Sequence, residues 1–302
     1  MERAQIDSIR RFNRTVSQRI GALQDDYLSR NRSLGLSRVL WEITPDGSQV
    51  RVLRSRLGLD SGYLSRQLRQ LESAGLSTTG PAGDDGRVRT VRLTPAGAAE
   101  RARLDRASDE LAESILAPLS AAQRERLVTA MAEVEQLLIA SQVRIEVTDP
   151  REPDARYCLR SYFEELARRF DGGFDPDRSI SASDEEMTPP HGLLLIASVQ
   201  GTPVGCGALK LHPETRIAEV KRMWSAPEMR GLGLGRRMLE RLTDEAIARG
   251  MRMLRLETNH SLTEARRLYQ TSGFTEVEAF NSEPYAHHWF ERPLPGGTGP
   301  RT

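Results

Sequence analysis

Residues 230–250 read RGLGLGRRMLERLTDEAIARG, and this stretch decides the fold of the second half of the chain. Three glycines, Gly231, Gly233 and Gly235, form a turn that opens a helix over 237–249, which Gly250 closes. Bare backbone N–H groups in such a turn can close on a phosphate, and the helix dipole favours the anion. The segment 216–226 just upstream reads as a strand. The spacing is G-x-G-x-G, not the G-x-G-x-x-G of a dinucleotide fingerprint, and no acid ends the next strand to hold a ribose. Taken alone, the turn is compatible with a phosphate cradle, a dinucleotide site or a flexible loop.

Outward from this turn, strand and helix alternate. Val143–Val147 reads as a strand, 153–170 as an amphipathic helix and 172–190 as irregular chain. Leu193–Val199 and Val204–Leu211 form a hairpin; 252–258 is a strand, 262–271 a helix and 285–292 a last strand. That alternation predicts an α/β domain over 144–294 with a central mixed sheet.

Two motifs at this separation resemble the GNAT superfamily of N-acetyltransferases. Its pyrophosphate motif, Arg/Gln-x-x-Gly-x-Gly/Ala, matches Arg230, Gly233 and Gly235. A second motif matches Ala265, Leu268-Tyr269 and Gly273-Phe274. The resemblance covers about residues 145–292 and implies acetyl-CoA as acetyl donor and an amine of a small molecule or protein as acceptor. It implies that backbone at Met223, Trp224 and Ser225 pairs with the pantetheine arm. Arg230, Gly231, Leu232, Gly233, Leu234, Gly235 and Arg236 would hold the pyrophosphate, and Asn259 would approach the pantetheine. One departure is Leu262, where many relatives carry an Asn.

Acetyl transfer to an amine requires a base for the ammonium, donors for the developing oxyanion and an acid for the leaving sulfur. Glu219 lies eleven residues before Arg230, where some members of that family carry a catalytic glutamate, and is the candidate base; the same carboxylate could simply pair with Lys221 or Arg222. Tyr269 is the candidate acid, or else a packed aromatic. Backbone of 222–225 would serve the oxyanion. Acids at Asp184, Glu185, Glu186 and Glu283 suggest a cationic acceptor. His287 and His288, adjacent on a strand, cannot share a metal, Cys206 reads as core, and no metal site is expected.

The first 143 residues read differently. A polar helix over 2–29 carries spaced apolar residues that include Leu23 and Tyr27, and a short apolar helix covers 34–43. Helices over 49–57 and 61–74 flank Gly58-Leu59-Asp60; Asp60 is an N-cap and Gly75 a stop. Gly80–Gly86 turns into an alternating segment, Val88–Leu93, that reads as a ribbon with a charged tip. Helix resumes after Pro95, and Leu127, Met131, Val134 and Leu138 recur at heptad-like spacing, as in a helix packed on another helix. Two helices, a turn and a basic ribbon predict a winged helix-turn-helix. A major groove about 12 Å wide admits one helix; Ser61, Tyr63, Ser65, Arg66 and Arg69 would face it, with Arg87 at the ribbon tip.

The segment DSGYLSRQLRQLESAGL with DDGRVRTVRLTPAG is similar to the recognition helix and wing of the MarR family. The wing signature falls on Asp85-Gly86-Arg87 and is followed by Leu93-Thr94-Pro95-Ala96-Gly97. This resemblance covers about residues 5–143 and implies a homodimer that reads near-palindromic double-stranded DNA. The small tip Pro81-Ala82-Gly83 departs from the family's longer wing. The chain thus reads as a bifunctional regulator and acetyltransferase: a DNA-binding, dimerising domain over 1–143, an acetyltransferase over 144–294 and a disordered tail over 295–302. Two alternatives are a regulator whose second half only senses acyl-CoA, and an enzyme whose first half only dimerises.

Composition agrees with two ordinary globular domains. Of 302 residues, 38% are hydrophobic and 28% charged, with a net charge of +1. The stretch 51–92 holds eight arginines against four acids, a local excess that a phosphate backbone would feel. Two cysteines without pair spacing exclude a disulfide framework. No apolar run approaches a membrane span, and the amino-terminal residues lack a signal core, so a cytoplasmic protein is expected. No Gly/Ser/Pro linker separates the halves near 143, an arrangement that permits coupling between them.

Overall fold

The structure, a computed structural model, describes residues 2–22, 28, 32–82, 85–180 and 182–295. The expected helix positions Leu23 and Tyr27, the side chain of Arg87, Gly83 of the small tip, and the tail beyond residue 295 lie outside the described residues. The chain divides into two compact units, Met1–Met131 and Ala132–Thr302. The division falls before the expected boundary at 143, inside one continuous helix.

The first unit is mostly helical. Its elements are α1 (Arg3–Arg19), α2 (Leu34–Glu42), β1 (Ser48–Gln49), α3 (Val50–Leu57), α4 (Ser61–Ser73), β2 (Ser77–Ala82), β3 (Asp85–Leu93) and α5 (Pro95–Leu116). The helix α6 (Ala121–Ser141) runs past its end. Three helices start on side-chain caps: Ser33 accepts from the Leu36 amide at 3.3 Å, Asp60 from Tyr63 at 2.8 Å and Thr94 from Gly97 at 3.0 Å. Leu64, Leu68 and Leu71 of α4 recur at helical spacing and are buried with Leu36, Leu40, Leu53 and Val91. The strand order β1-β3-β2 makes a small antiparallel sheet, in which β1 is an element the sequence pattern did not announce. The first helix stops at Arg19, followed by Gly21 in left-handed backbone, so it is shorter than expected. Of the heptad-like residues of α6, Met131 is 58% and Leu138 55% exposed among the described residues, while Leu127 and Val134 are half-buried.

The second unit holds a seven-stranded mixed sheet, β4 (Arg144–Val147), β5 (Gly192–Val199), β6 (Thr202–His212), β7 (Ile217–Ser225), β8 (Met253–Thr258), β9 (Thr275–Val277) and β10 (His288–Pro293), with α7 (Pro153–Arg169), α8 (Leu234–Ala248) and α9 (Thr263–Thr271). The order is β4-β5-β6-β7-β8-β10-β9. Every pairing is antiparallel except β7–β8, which α8 links as a crossover. β5 and β6 are joined by Gln200-Gly201, both at positive φ, so the tight two-residue hairpin matches the strand twist. β5 is buried along almost its whole length because helices cover both faces of the sheet. At Gly207 an added Cβ would come within 3.0 Å of Met238 and Leu242, so the glycine lets α8 lie close on the sheet. α8 begins at Leu234, three residues before the expected start, and the last strand begins at His288 rather than Tyr285. Residues before His288 instead form a loop that reaches the site described next.

Candidate active site

The parallel strands β7 and β8 pair only at Ile217↔Met253, Ala218↔Leu254 and Glu219↔Arg255. Beyond Glu219 they part, although β7 continues to Ser225 and β8 to Thr258. A bulge causes the divergence. On the other side of β7, Cys206 pairs with Trp224 and Ala208 with Lys221, so Arg222 and Met223 share the single position opposite Gly207. Arg222 takes a left-handed φ of 58° to do so, a conformation that costs about 1–3 kcal/mol in a side-chain-bearing residue. The fork exposes one edge of β7 to whatever enters between the strands.

A cleft occupies this fork and encloses about 700 Å³, counting its open mouth. Lys221, Arg222 and Met223 line it from β7; Glu257 and Thr258 line it from β8. Tyr269 comes from α9, Tyr162 and Phe170 from α7 and its end, and Glu283 and Tyr285 from the loop before β10. The glycine turn follows the end of β7 and opens α8. Gly231 and Gly233 have φ of 77° and 81°, and a Cβ added to either meets nothing within 4 Å. Gly233 caps α8 without a side chain, leaving the first-turn N–H groups open to a ligand. Gly235 is close-packed, since its Cβ would sit 3.2 Å from Leu268. An open phosphate cradle beside an unpaired strand edge fits the pyrophosphate and pantetheine arm of acetyl-CoA.

The expected cofactor residues do different things. Arg230 bonds the Glu165 carboxylate and donates to the Ser225 carbonyl at 3.2 and 3.3 Å, so its side chain ties the turn to α7. Glu165 also accepts from Trp224 Nε1 at 3.0 Å. Leu232 packs against the core and Leu234 is buried; both present backbone only. Arg236 is exposed and reaches Thr271 at 3.4 Å. Asn259 lines the cleft, but its amide donates to the Tyr285 carbonyl at 2.8 Å and accepts from Ser261 at 2.9 Å. It holds the loop rather than offering a free amide.

The expectation for Glu219 needs correction. It is buried behind the last registered pair of the fork and does not line the cleft. Its carboxylate accepts from Arg255 at 2.6 and 3.1 Å, with His212 Nε2 at 3.2 Å and Lys221 Nζ at 3.4 Å. Burial pushes this carboxyl up, but Lys221, Arg255 and His212 outweigh burial and hold it below the ordinary carboxylate range. This pairing with Lys221 is the alternative the sequence left open for Glu219, with Arg255 and His212 added. Of the two strand acids, the one that lines the cleft is Glu257, one strand over. Its Oε1 bonds Lys221, and its Oε2 is buried without a hydrogen-bond partner. The sequence reading missed it because only the tertiary register shows which of the two strand acids faces the fork.

Tyr269 is 5% exposed, lines the cleft and packs its ring against Phe274 and Phe290 at 5.9 and 6.1 Å. Burial raises its phenol well above the usual tyrosine value. Across from it, burial also raises the Tyr162 phenol, to about 12. Of the acids expected to attract the acceptor, Asp184 pairs with Arg156 and Glu186 with Lys210 at 2.6 Å, so both are spent outside the cleft. Glu283 lines the cleft but accepts from Ser179, Ile180 and Tyr285, which makes it the anchor of the surrounding loops. No group of three or more metal-ligating side chains occurs among the described residues. Among them, too, no helix is long and apolar enough to cross a membrane.

In the first unit, Ser61, Ser65, Arg66 and Arg69 lie on the exposed face of α4, and Tyr63 is half-buried. Arg66 stacks over Tyr63 at 5.9 Å, and Arg69 Nε donates to the Ser65 carbonyl at 3.3 Å.

Comparison with known proteins agrees with the second unit. Residues 159–274 match the family model described as Acetyltransferase (GNAT) family. An Azospirillum brasilense protein described as IAA acetyltransferase is 37% identical over 153 residues, 49% of this chain and 98% of that protein. A Schizosaccharomyces pombe protein described as an uncharacterized N-acetyltransferase is 31% identical, over 42% of this chain and 79% of its own length. Among solved structures, a GCN5-related N-acetyltransferase from Kribbella flavida shares 23% identity with a TM-score of 0.39, over 51% of this chain and 99% of that one. The glycine turn, the forked strands and this similarity agree: through its C-terminal half the chain belongs to the GNAT acetyltransferase family.

Proposed function

We propose that the second unit transfers an acetyl group from acetyl-CoA to an amine. The observation that carries this reading is the fork between β7 and β8, flanked by the open glycine turn. When bound, acetyl-CoA supplies an activated acetyl thioester. The backbone of Gly231–Arg236 and the α8 N-terminus hold its diphosphate, and the free edge of Met223–Ser225 aligns its arm. Glu257 Oε2 receives the proton of the acceptor ammonium, either directly or through water. Tyr269, kept protonated by its burial, delivers a proton to the departing sulfur.

The test is calorimetric titration of the whole chain with acetyl-CoA. One site per chain is expected, and Gly233→Glu is expected to abolish it by filling the cradle with a like charge. No heat from the wild type at tenfold excess over micromolar protein would remove the enzyme reading. Binding without CoA release in the presence of any amine would instead favour a unit that only senses acyl-CoA.

The first unit supports a second role: a MarR-like winged helix that binds near-palindromic DNA as a homodimer. The observation favouring it is the exposed polar face of α4, with Ser61, Ser65, Arg66 and Arg69 opposite its buried leucines, followed by the β2–β3 ribbon. Exposed apolar residues on α1, Ile9 at 62% and Phe12 at 47%, together with Met131 of α6, offer the dimer surface. On this reading the chain is a regulator and an acetyltransferase in one.

A further inference from the structure

Arg222 is the one cation of the cleft wall left without a carboxylate partner among the described residues. It is 8% exposed, its Nη2 donates only to the Ala182 carbonyl at 3.2 Å, and its Nε has no partner. Its guanidinium lies 4.4 Å from the centre of the Phe163 ring and 5.6 Å from that of Tyr162. The other charges are accounted for: Lys221 sits between Glu219 and Glu257, and Glu283 holds its three loop donors. A buried cation without a carboxylate, on a residue with strained backbone, is costly to the fold and marks a site that a ligand completes. Arginine is also the cation that matches a carboxylate in a two-pronged hydrogen bond.

The same cleft contains one buried acceptor atom without a donor, Glu257 Oε2. An unpaired donor and an unpaired acceptor in one cleft describe a ligand with both signs of charge. Part of the remaining wall is apolar, with Leu166, Phe170, Phe174 and Ile180 beside the polar Ser179, Thr258 and Asn259. Phe174 and Tyr285 approach with ring centres 4.8 Å apart, and Phe170 meets Phe174 edge-on at 5.7 Å.

We infer that the acceptor is a free amino acid with a large apolar or aromatic side chain, whose carboxylate binds Arg222 and whose ammonium faces Glu257. This rests on the acetyltransferase reading above and specifies the substrate of that site. In the transfer, the acceptor nitrogen forms the new C–N bond as the C–S bond breaks. The ammonium gives one proton to Glu257; after the C–N bond forms the nitrogen loses its second, which replaces the proton Tyr269 gave to the departing sulfur, and the proton on Glu257 is the one released overall.

The experiment pairs L-phenylalanine with phenethylamine and L-leucine with isoamylamine. Each is titrated calorimetrically into the full chain, alone and saturated with CoA, and assayed with acetyl-CoA by thiol release. The amino acid of each pair is expected to exceed its decarboxylated partner by about a hundredfold or more in kcat/KM, because the amine leaves Arg222 unpaired. Arg222→Gln is expected to raise KM for the amino acid by about tenfold or more, so that the preference for each amino acid over its decarboxylated partner shrinks, and to be partly rescued by Arg222→Lys. Wild-type preference for the decarboxylated amines overturns the inference while leaving the acetyltransferase reading in place. Failure of both amino acids to bind overturns it whatever acetyl-CoA does, and acetyl-CoA binding measured separately reports on the underlying reading. The comparison of acceptor pairs uses the wild type, so it decides the matter even if the Arg222 variants fold poorly.

Discussion

Glu219 accepts two hydrogen bonds from Arg255, at 2.6 and 3.1 Å, across the last registered pair of the β7–β8 ladder. The ion pair sits at the crotch of the fork and pins the strands where they begin to part. Lys221, one step into the fork, links this pair to Glu257 in the cleft wall.

Glu219→Gln is expected to destabilise the fold by about 3 kcal/mol, the cost of breaking a buried ion pair, with kcat of the folded protein unchanged. The carboxyl faces Lys221, Arg255 and His212, which hold its folded pKa below the unfolded value. Its contribution is therefore full above the unfolded value of about 4.3 and is lost as pH falls through the folded one. Urea unfolding across this acid range should show a steep limb in the wild type and a flatter one in the variant. Equal limbs, or a collapse of kcat, would return Glu219 to the chemistry.

Glu257→Gln is expected to lower kcat by about a hundredfold while leaving acetyl-CoA affinity, measured by calorimetry, as it was. The variant keeps the shape of the cleft and loses only the proton acceptor at Oε2. Turnover at the wild-type rate would show that another group, or water alone, takes the proton.

Tyr269→Phe is expected to reduce kcat more than it alters KM for acetyl-CoA. Burial holds the phenol protonated above its usual range, so the kcat–pH profile of the wild type should show no falling limb from Tyr269 up to about pH 10. Unchanged turnover in the variant would assign the ring to packing with Phe274 and Phe290 alone.

Arg66→Ala is expected to weaken binding to a specific duplex by about 1–3 kcal/mol if Arg66 reads a base, and to weaken all sequences equally if it contacts phosphate. Either result should appear against a strong salt dependence in fluorescence anisotropy with fragments from the protein's own promoter region. No binding to any such fragment at low salt would leave the first unit as a dimerising module.

Features encoded within short windows were legible in the sequence. Asp60 and Thr94 start their helices because a side-chain oxygen reaches an amide three residues on. Gly231 and Gly233 turn because only glycine takes left-handed backbone without strain, and the alternation of apolar residues placed the β5–β6 hairpin, while Tyr269 was marked by the resemblance of its motif to the GNAT superfamily. What could not be read there depends on pairing between distant segments. The fork arises from the register of β7 on β6 and β8, and Glu219 meets Arg255, 36 positions further along the chain. A single bulge at Arg222–Met223 breaks the two-residue alternation on which side-chain direction rests. The motif spacing marked Glu219 as the candidate base, whereas the folded sheet lines the cleft with Glu257 and turns Arg222, with its charge unpaired, into it.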